Sequence, residues 1–275
     1  MHTVRKTHLE PSRIAPDTFL VHDHAGEGQA PVLVPLNSLV IRGAEPVVVD
    51  TGVGLPDRDF LATLAEVIDP TDVRWIWLTH PDRDHTGGLF ALLDAAPRAR
   101  VVTTFIGAGI MSTERPLPME RVYLLNPGQT LNVGDRRLTG FRPPLFDNPA
   151  TVGLFDMRSG VCFSSDCFGA PMATADLAQA ENVRAASPDE LRAAQLLWAS
   201  VDSPWIHNVD TSIFARSVQG IRAFNPTWIF SSHLPPATGD MTRLLDTLLE
   251  APSADVFTGP DQAALEAMLR EFEPV

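Results

Sequence analysis

Thr79-His80-Pro81-Asp82-Arg83-Asp84-His85-Thr86-Gly87-Gly88 is the stretch on which the fold of this chain turns. Two imidazoles (His80, His85) and two carboxylates (Asp82, Asp84) fall within six consecutive positions. Before it, Val73-Arg74-Trp75-Ile76-Trp77-Leu78 is rich in aromatic and β-branched residues and predicts a strand. After Gly87-Gly88, the run from Leu89 to Ala95 has helical character. The four polar groups therefore sit on a tight strand-to-helix turn. There they can converge on one point, which regular helix or strand geometry forbids for this spacing. Imidazole and carboxylate together are ligands for transition metals. The plainer reading, a solvated turn whose aspartates cap the next helix, is the less economical one for so dense a cluster.

The rest of the composition narrows the classes. The chain has 275 residues, enough to bury a sizeable core, and 44% of them are hydrophobic, as in globular proteins. No apolar run approaches the roughly 20 residues needed to span a bilayer, and no secretory signal follows Met1. Only Cys162 and Cys167 are present, which argues against a disulfide framework and for a reducing, cytoplasmic location. A formal charge of −13 without a basic patch disfavours nucleic acid and anionic membranes as partners. Bound cations would offset part of it.

Along the chain, residues 1–30 read as irregular. Residues 31–43 and 46–50 read as a hairpin, 59–67 as an amphipathic helix, and 101–104 as a short strand. Residues 105–120 read as helix then loop. Residues 129–141 form one hairpin, and 151–156 with 161–166 another, turning at Ser159-Gly160. Helices are expected over 188–202, 208–224, 239–250 and 260–272, with a late strand at 227–233 ending in His233. Strand pairs with helices interspersed, then the same again, suit two sheets packed between helices, and no boundary divides residues 1–275 into separate domains.

The segment from His80 to His85 resembles the H-x-[H/E/D]-x-D-H signature of the metallo-β-lactamase superfamily. An acidic residue at Asp82 makes it similar to the metal domain of the flavodiiron proteins in particular. Asp50-Thr51-Gly52 resembles the superfamily's "DTG" step, whose aspartate braces the metal loop. Phe163-Ser164-Ser165-Asp166-Cys167-Phe168-Gly169 resembles the flavodiiron segment whose aspartate bridges two metals, and Ser231-Ser232-His233 the segment carrying the last histidine. The resemblance implies an α/β fold, an αββα sandwich of two mixed sheets between helices, as one domain. It implies two metal ions held by His80, Asp82, Asp84, His85, Asp166 and His233. The family has one more histidine between the metal loop and the bridging aspartate. Phe146 stands where it is expected, with Asp147 one residue away as a possible substitute. Asp50, Phe146 and His207 are expected around the ligands, and metal-bound water or substrate, rather than a separate side chain, carries the catalysis.

A His/Asp centre without thiolate favours iron, manganese or zinc over softer metals, and the resemblance implies iron among them. With iron, the resemblance implies reduction of dioxygen or nitric oxide, small-molecule substrates, by electrons from a separate flavodoxin, rubredoxin or flavin reductase. Flavodiiron proteins carry a flavodoxin module after this domain; this chain stops at Val275, so no flavin is expected to bind here, and the reason for a homodimer is weaker. With zinc, the same ligands suit hydrolysis of an ester, lactone or phosphodiester. Metal binding or sensing without turnover is a third class. His22-Asp23-His24 spells an H-x-H but reads as solvated loop, His2 and His8 as tail residues, and the two cysteines as buried, inert thiols.

Overall fold

Val47-Val48-Val49 shows how the layers arise. Val47 and Val49 pack into the core between the sheets, while Val48 faces a different core on the sheet's other side. All three are fully buried, because side chains alternate across a strand and both faces here are covered. The structure, a computed structural model, describes residues 11–26, 32–55 and 58–272.

The first half of the chain contributes β1 (Ser12–Ala15), β2 (Thr18–Ala25), β3 (Val34–Ile41), β4 (Val47–Val49), α1 (Phe60–Val67) and β5 (Trp75–Trp77). It continues with α2 (Arg83–Thr86), α3 (Leu89–Ala95), β6 (Arg100–Thr103), α4 (Phe105–Glu114) and β7 (Val122–Leu124). These seven strands form one sheet in chain order, antiparallel from β1 to β4 and parallel from β4 to β7. Next come β8 (Thr130–Asn132), β9 (Arg137–Phe141), β10 (Gly153–Asp156), β11 (Val161–Phe163), α5 (Ala175–Ala178) and α6 (Pro188–Asp202). The chain closes with α7 (Thr211–Phe224), β12 (Trp228–Ser231), β13 (Leu234–Thr238), α8 (Met241–Glu250) and α9 (Gln262–Phe272). The second sheet has six strands in the order β13-β12-β11-β10-β9-β8, and only β11 and β12 run parallel.

Three cores follow from strand parity. Leu39, Ile41, Trp75 and Trp77 from the first sheet meet Leu154, Val161, Phe163 and Phe230 from the second. Val40 and Ile76 point the other way, onto Leu64 of α1 and Leu89 and Leu92 of α3. Phe155, Cys162 and Ile229 face Leu191 of α6, Phe214 of α7 and Leu244 of α8. This is the αββα sandwich expected from the sequence. Cys162 and Cys167 are buried free thiols of that last core, and desolvation pushes both thiols up, out of the reactive range. Among the described residues no helix is long and apolar enough to cross a membrane.

The amino-terminal expectation needs correction. Residues 12–25 form a hairpin rather than an irregular segment, and β2 pairs with β3 over its whole length. The polar triplet His22-Asp23-His24 hides this strand, but its polar atoms are satisfied. His24 is buried with its Nδ1 3.2 Å from Gln179 Nε2, and Asp23 pairs with Arg58 at 2.6 Å. His2 and His8 lie outside the described residues.

At the end of the sandwich where β10 turns into β11, Arg136 is buried and gathers three carboxylates. It pairs with Asp17 from the β1–β2 turn, with Asp135 at 2.9 Å, and with the fully buried Asp156 at 3.1 Å. Hydrogen bonds from the guanidinium hold Asp17 below the usual carboxylate range and bring Asp135 to about 2. Removing the cation strands a buried anion, so Arg136→Met is expected to cost about 3 kcal/mol in urea unfolding. Both folded-state values lie below the unfolded ones. The stability they contribute is therefore present above about pH 4 and lost as pH falls toward about 2. Acid titrations should show this loss in the parent chain and a smaller one in Arg136→Met.

Candidate metal centre

The opposite end of the sandwich collects the carboxyl ends of β4, β5, β11 and β12. Glycines make the first approach possible. Gly54 has φ of +65°, and a Cβ on Gly87 would lie 2.2 Å from the Val53 carbonyl carbon. The strap from Thr51 to Gly54 therefore lies backbone to backbone against the turn. Thr51 N donates to His85 O at 2.7 Å, and Gly87 N to Gly52 O at 2.8 Å. A side chain at either glycine would push the strap off.

Asp50 sits between them, buried and at φ of 57°. Its carboxylate accepts from Thr79 N, from Thr79 Oγ1 and from His85 Nδ1, each at 2.8 Å. That fixes the His85 ring with Nε2 outward. His233 is fixed likewise, its Nδ1 donating to Pro35 O at 2.8 Å. His80 is held by a relay of one polarity. Ser165 Oγ donates to Thr79 Oγ1 at 3.0 Å and Thr79 Oγ1 to Asp50, which leaves Ser165 Oγ to accept from His80 Nδ1 at 3.1 Å. All three Nε2 atoms then point to one place, where Asp166 lies. Ser165 and Phe168, at φ of 56° and 75°, bend the chain around it.

Around Asp166 the ligand-type side chains divide into two half-sites. Asp166 Oδ2 is 3.4 Å from His80 Nε2, which also has Asp147 Oδ2 at 3.7 Å and Asp82 Oδ2 at 3.9 Å. Asp166 Oδ1 is 3.2 Å from both His85 Nε2 and His233 Nε2, and Asp84 Oδ2 completes that group at 3.3 and 3.4 Å from the same nitrogens. Asp82 stands at the start of α2 but accepts no capping hydrogen bond there; its Oδ1 accepts from Asn148 Nδ2 at 3.1 Å. The capping reading of this aspartate is thereby set aside.

The place expected for Phe146 goes to Asp147. The Phe146 ring packs against Trp205 with centroids 5.0 Å apart, and Trp205 Nε1 donates to the Phe146 carbonyl at 2.8 Å. Anchored this way, the loop turns the next side chain, Asp147, toward His80. His207 is not brought to the cluster: its Nε2 pairs with Ser200 Oγ at 2.9 Å, and the same hydroxyl accepts from Phe257 N.

The electrostatics are those of a group built around positive charge. Burial raises a carboxylic acid and lowers an imidazole, yet at Asp166 three imidazoles overcome desolvation and hold the carboxyl well below its usual range. Burial works against His85 and His233 too, but Asp166 outweighs it and raises both. His80 goes the other way, lowered by burial and by its neighbour His85. Burial, with Asp166, Asp202 and Asp82 nearby, lifts Asp147 to about 8. His80 Nε2, His85 Nε2 and Asp166 Oδ1 are buried without a hydrogen-bond partner. Buried polar atoms are rarely left so. One cation in each half-site would satisfy all three in place of the imidazole protons, so the residues present fit a metal pair.

Sequence reasoning missed the part played by α6. Trp198 Nε1 donates to the Asp166 carbonyl at 3.0 Å, and its ring lies 4.7 Å from that of His233. Four residues on, Asp202 reaches the carboxylates of Asp147 and Asp166. The signal available was the i, i+4 pairing of Trp198 with Asp202 on one helix face.

Comparison with known proteins bears on this geometry. Residues 32–171, just over half of the 275, match the profile of the metallo-beta-lactamase superfamily. The type A flavoprotein fprA of Rhodobacter capsulatus is 33% identical over 136 residues, covering 48% of this chain and 31% of that protein. The anaerobic nitric oxide reductase flavorubredoxin of Salmonella typhi is 28% identical over 134 residues, covering 48% of this chain and 28% of that protein. The chain thus spans under a third of the length of these two relatives. The structure of rubredoxin oxygen:oxidoreductase from Desulfovibrio gigas superposes with a TM-score of 0.70 at 18% identity, over 89% of this chain and 62% of that one. A flavodiiron core from Synechocystis sp. PCC6803 gives 0.71 at 17% identity, over 90% and 61%. The matched span includes the strap and the metal loop, and this chain belongs to the metallo-β-lactamase superfamily, with the fold of flavodiiron metal cores.

Proposed function

We propose that this chain holds a pair of iron ions and reduces dioxygen or nitric oxide with electrons from a separate donor. The observation that carries this reading is the placement of Asp166, one oxygen toward His80 and the other toward His85 and His233. One carboxylate with a nitrogen ligand set on each side is the arrangement that holds two ions close together. His80, Asp82, Asp147 and Asp166 would hold the first ion, and Asp84, His85, Asp166 and His233 the second. Carboxylates outnumber imidazoles and no thiolate takes part, which suits iron or manganese better than softer metals. The names of similar proteins, a nitric oxide reductase and a rubredoxin-oxygen oxidoreductase, point the same way.

When bound, iron would bind the diatomic substrate and pass on to it the electrons received from the donor. The protein does the rest. Asp50 and Pro35 O hold the rings of His85 and His233, so neither reorients as charge changes. Asp82, Asp84 and Asp147 are partly exposed, with side chains 46%, 30% and 24% accessible, so a small molecule can reach both half-sites. Electrons would come from a flavodoxin, a rubredoxin or a flavin reductase, with one domain carrying the whole centre.

Elemental analysis of protein purified without added metal is expected to find two irons per chain, and reduced protein to consume dioxygen or nitric oxide. Zinc, with ester or phosphodiester turnover and no gas uptake, would replace this reading with a hydrolase. Asp166→Ala is expected to remove most of the metal; unchanged metal content would end its bridging assignment. Asp50→Asn, which keeps the shape but removes the charge behind His85, should weaken metal binding by about 10- to 100-fold in a chelator competition.

A further inference from the structure

Helix α6 ends beside Asp147 of the first half-site and the shared Asp166. One carboxylate oxygen from each of Asp147, Asp166 and Asp202 lies within 4.8 Å of the others, and Asp202 is the helix's last residue. Packing does not call for an acid there. A carboxylate at a helix C-terminus faces the negative end of the helix dipole, and among the described residues no arginine pairs with Asp202. Its carboxylate accepts from the hydroxyl of the buried Ser203 at 3.0 Å. The opposite wall gives an independent observation. His80 is 1% exposed, and its Nε2 has no hydrogen-bond partner although it is aimed into the same carboxylates.

We infer that Asp202 is a fourth carboxylate donor to the first half-site, and that it makes this half-site the one that takes a hard, oxygen-preferring cation, manganese(II) or iron(III). The inference rests on the metal-centre reading above and extends it to a residue and a selectivity. The first half-site then offers one imidazole with Asp82, Asp147, Asp166 and Asp202; the second offers two imidazoles with Asp84 and Asp166. Oxygen-rich sets suit manganese, and imidazole-rich sets suit zinc or iron(II). Ligand atoms on one octahedral ion with bonds of about 2.1 Å stand roughly 3 to 4.2 Å apart. Asp147, Asp166 and Asp202, each with an oxygen within 4.8 Å of the others, can therefore close onto a single ion with small side-chain movements.

The test uses the full chain, stripped of metal, then given one equivalent of zinc and an excess of manganese(II). Metal analysis and manganese EPR after desalting should find one manganese beside one zinc. Asp202→Asn should keep the zinc and bind manganese about tenfold more weakly or worse. Manganese binding unchanged in Asp202→Asn overturns the inference while leaving the metal centre standing. Zinc retained with no manganese beside it in the parent chain does the same. A parent chain that binds neither metal refutes the centre itself, and this inference with it. Should the variant not fold, anomalous diffraction from manganese-loaded parent crystals decides. An Asp202 oxygen within about 2.4 Å of manganese supports the assignment, and one beyond bonding distance refutes it.

Discussion

The carboxylate of Asp50 is the constraint from which the rest of the centre follows. It lies fully inside the protein, in a left-handed backbone conformation that costs a non-glycine residue of order 1 kcal/mol or more. In return it binds the strand end at Thr79 and the ring of His85 simultaneously. Through Thr79 it also sets the direction of the hydroxyl relay that ends at His80. Two imidazoles on one short loop are thereby aimed from a single anchor in the neighbouring strand. The glycines of the strap and turn serve this arrangement, since only backbone without side chains lets the anchor come close enough.

What converges on the anchor is an excess of like charge. Asp82, Asp84, Asp147, Asp166 and Asp202 bring five carboxylates against three imidazoles. The protein's own cations do not balance them. Burial first, and Asp166 next, lift Asp202 to about 7, as burial and the same neighbours lift Asp147 to about 8. Crowded carboxylates of this kind share protons or share metal. Five carboxylates against three imidazoles leave an excess of negative charge that bound cations would offset.

Much of this was legible from residue order. The run from Thr79 to Gly88 is self-contained, because strand, turn and helix are all local and each has its own sequence signal. Asp166 and His233 were legible because they end strands with recognisable flanks. Other features depend on partners far away in the chain. The strand carrying His22 and His24 is written in polar residues whose satisfaction comes from Gln179 and Arg58. Which of Phe146 and Asp147 turns inward is decided by Trp205, 59 residues further on. Asp202 ends a helix that reads as packing, and its i, i+4 pairing with Trp198 does not say that the helix terminus meets the loops of Asp147 and Asp166.

The two ends of the sandwich answer the same electrostatic problem in different ways. Around Arg136, three carboxylates from three separate turns meet a guanidinium that the chain itself encodes. Around Asp166, the carboxylates and imidazoles come from both sheets and from α6, and the cation is left to be acquired. One end is complete when the backbone has folded; the other is a joint whose strength depends on the supply of ions. A chelator thus reaches only one end of the molecule. On the metal-pair reading proposed above, the sheets would loosen at that end while remaining riveted at the other, so that metal exchange would not pass through the unfolded chain.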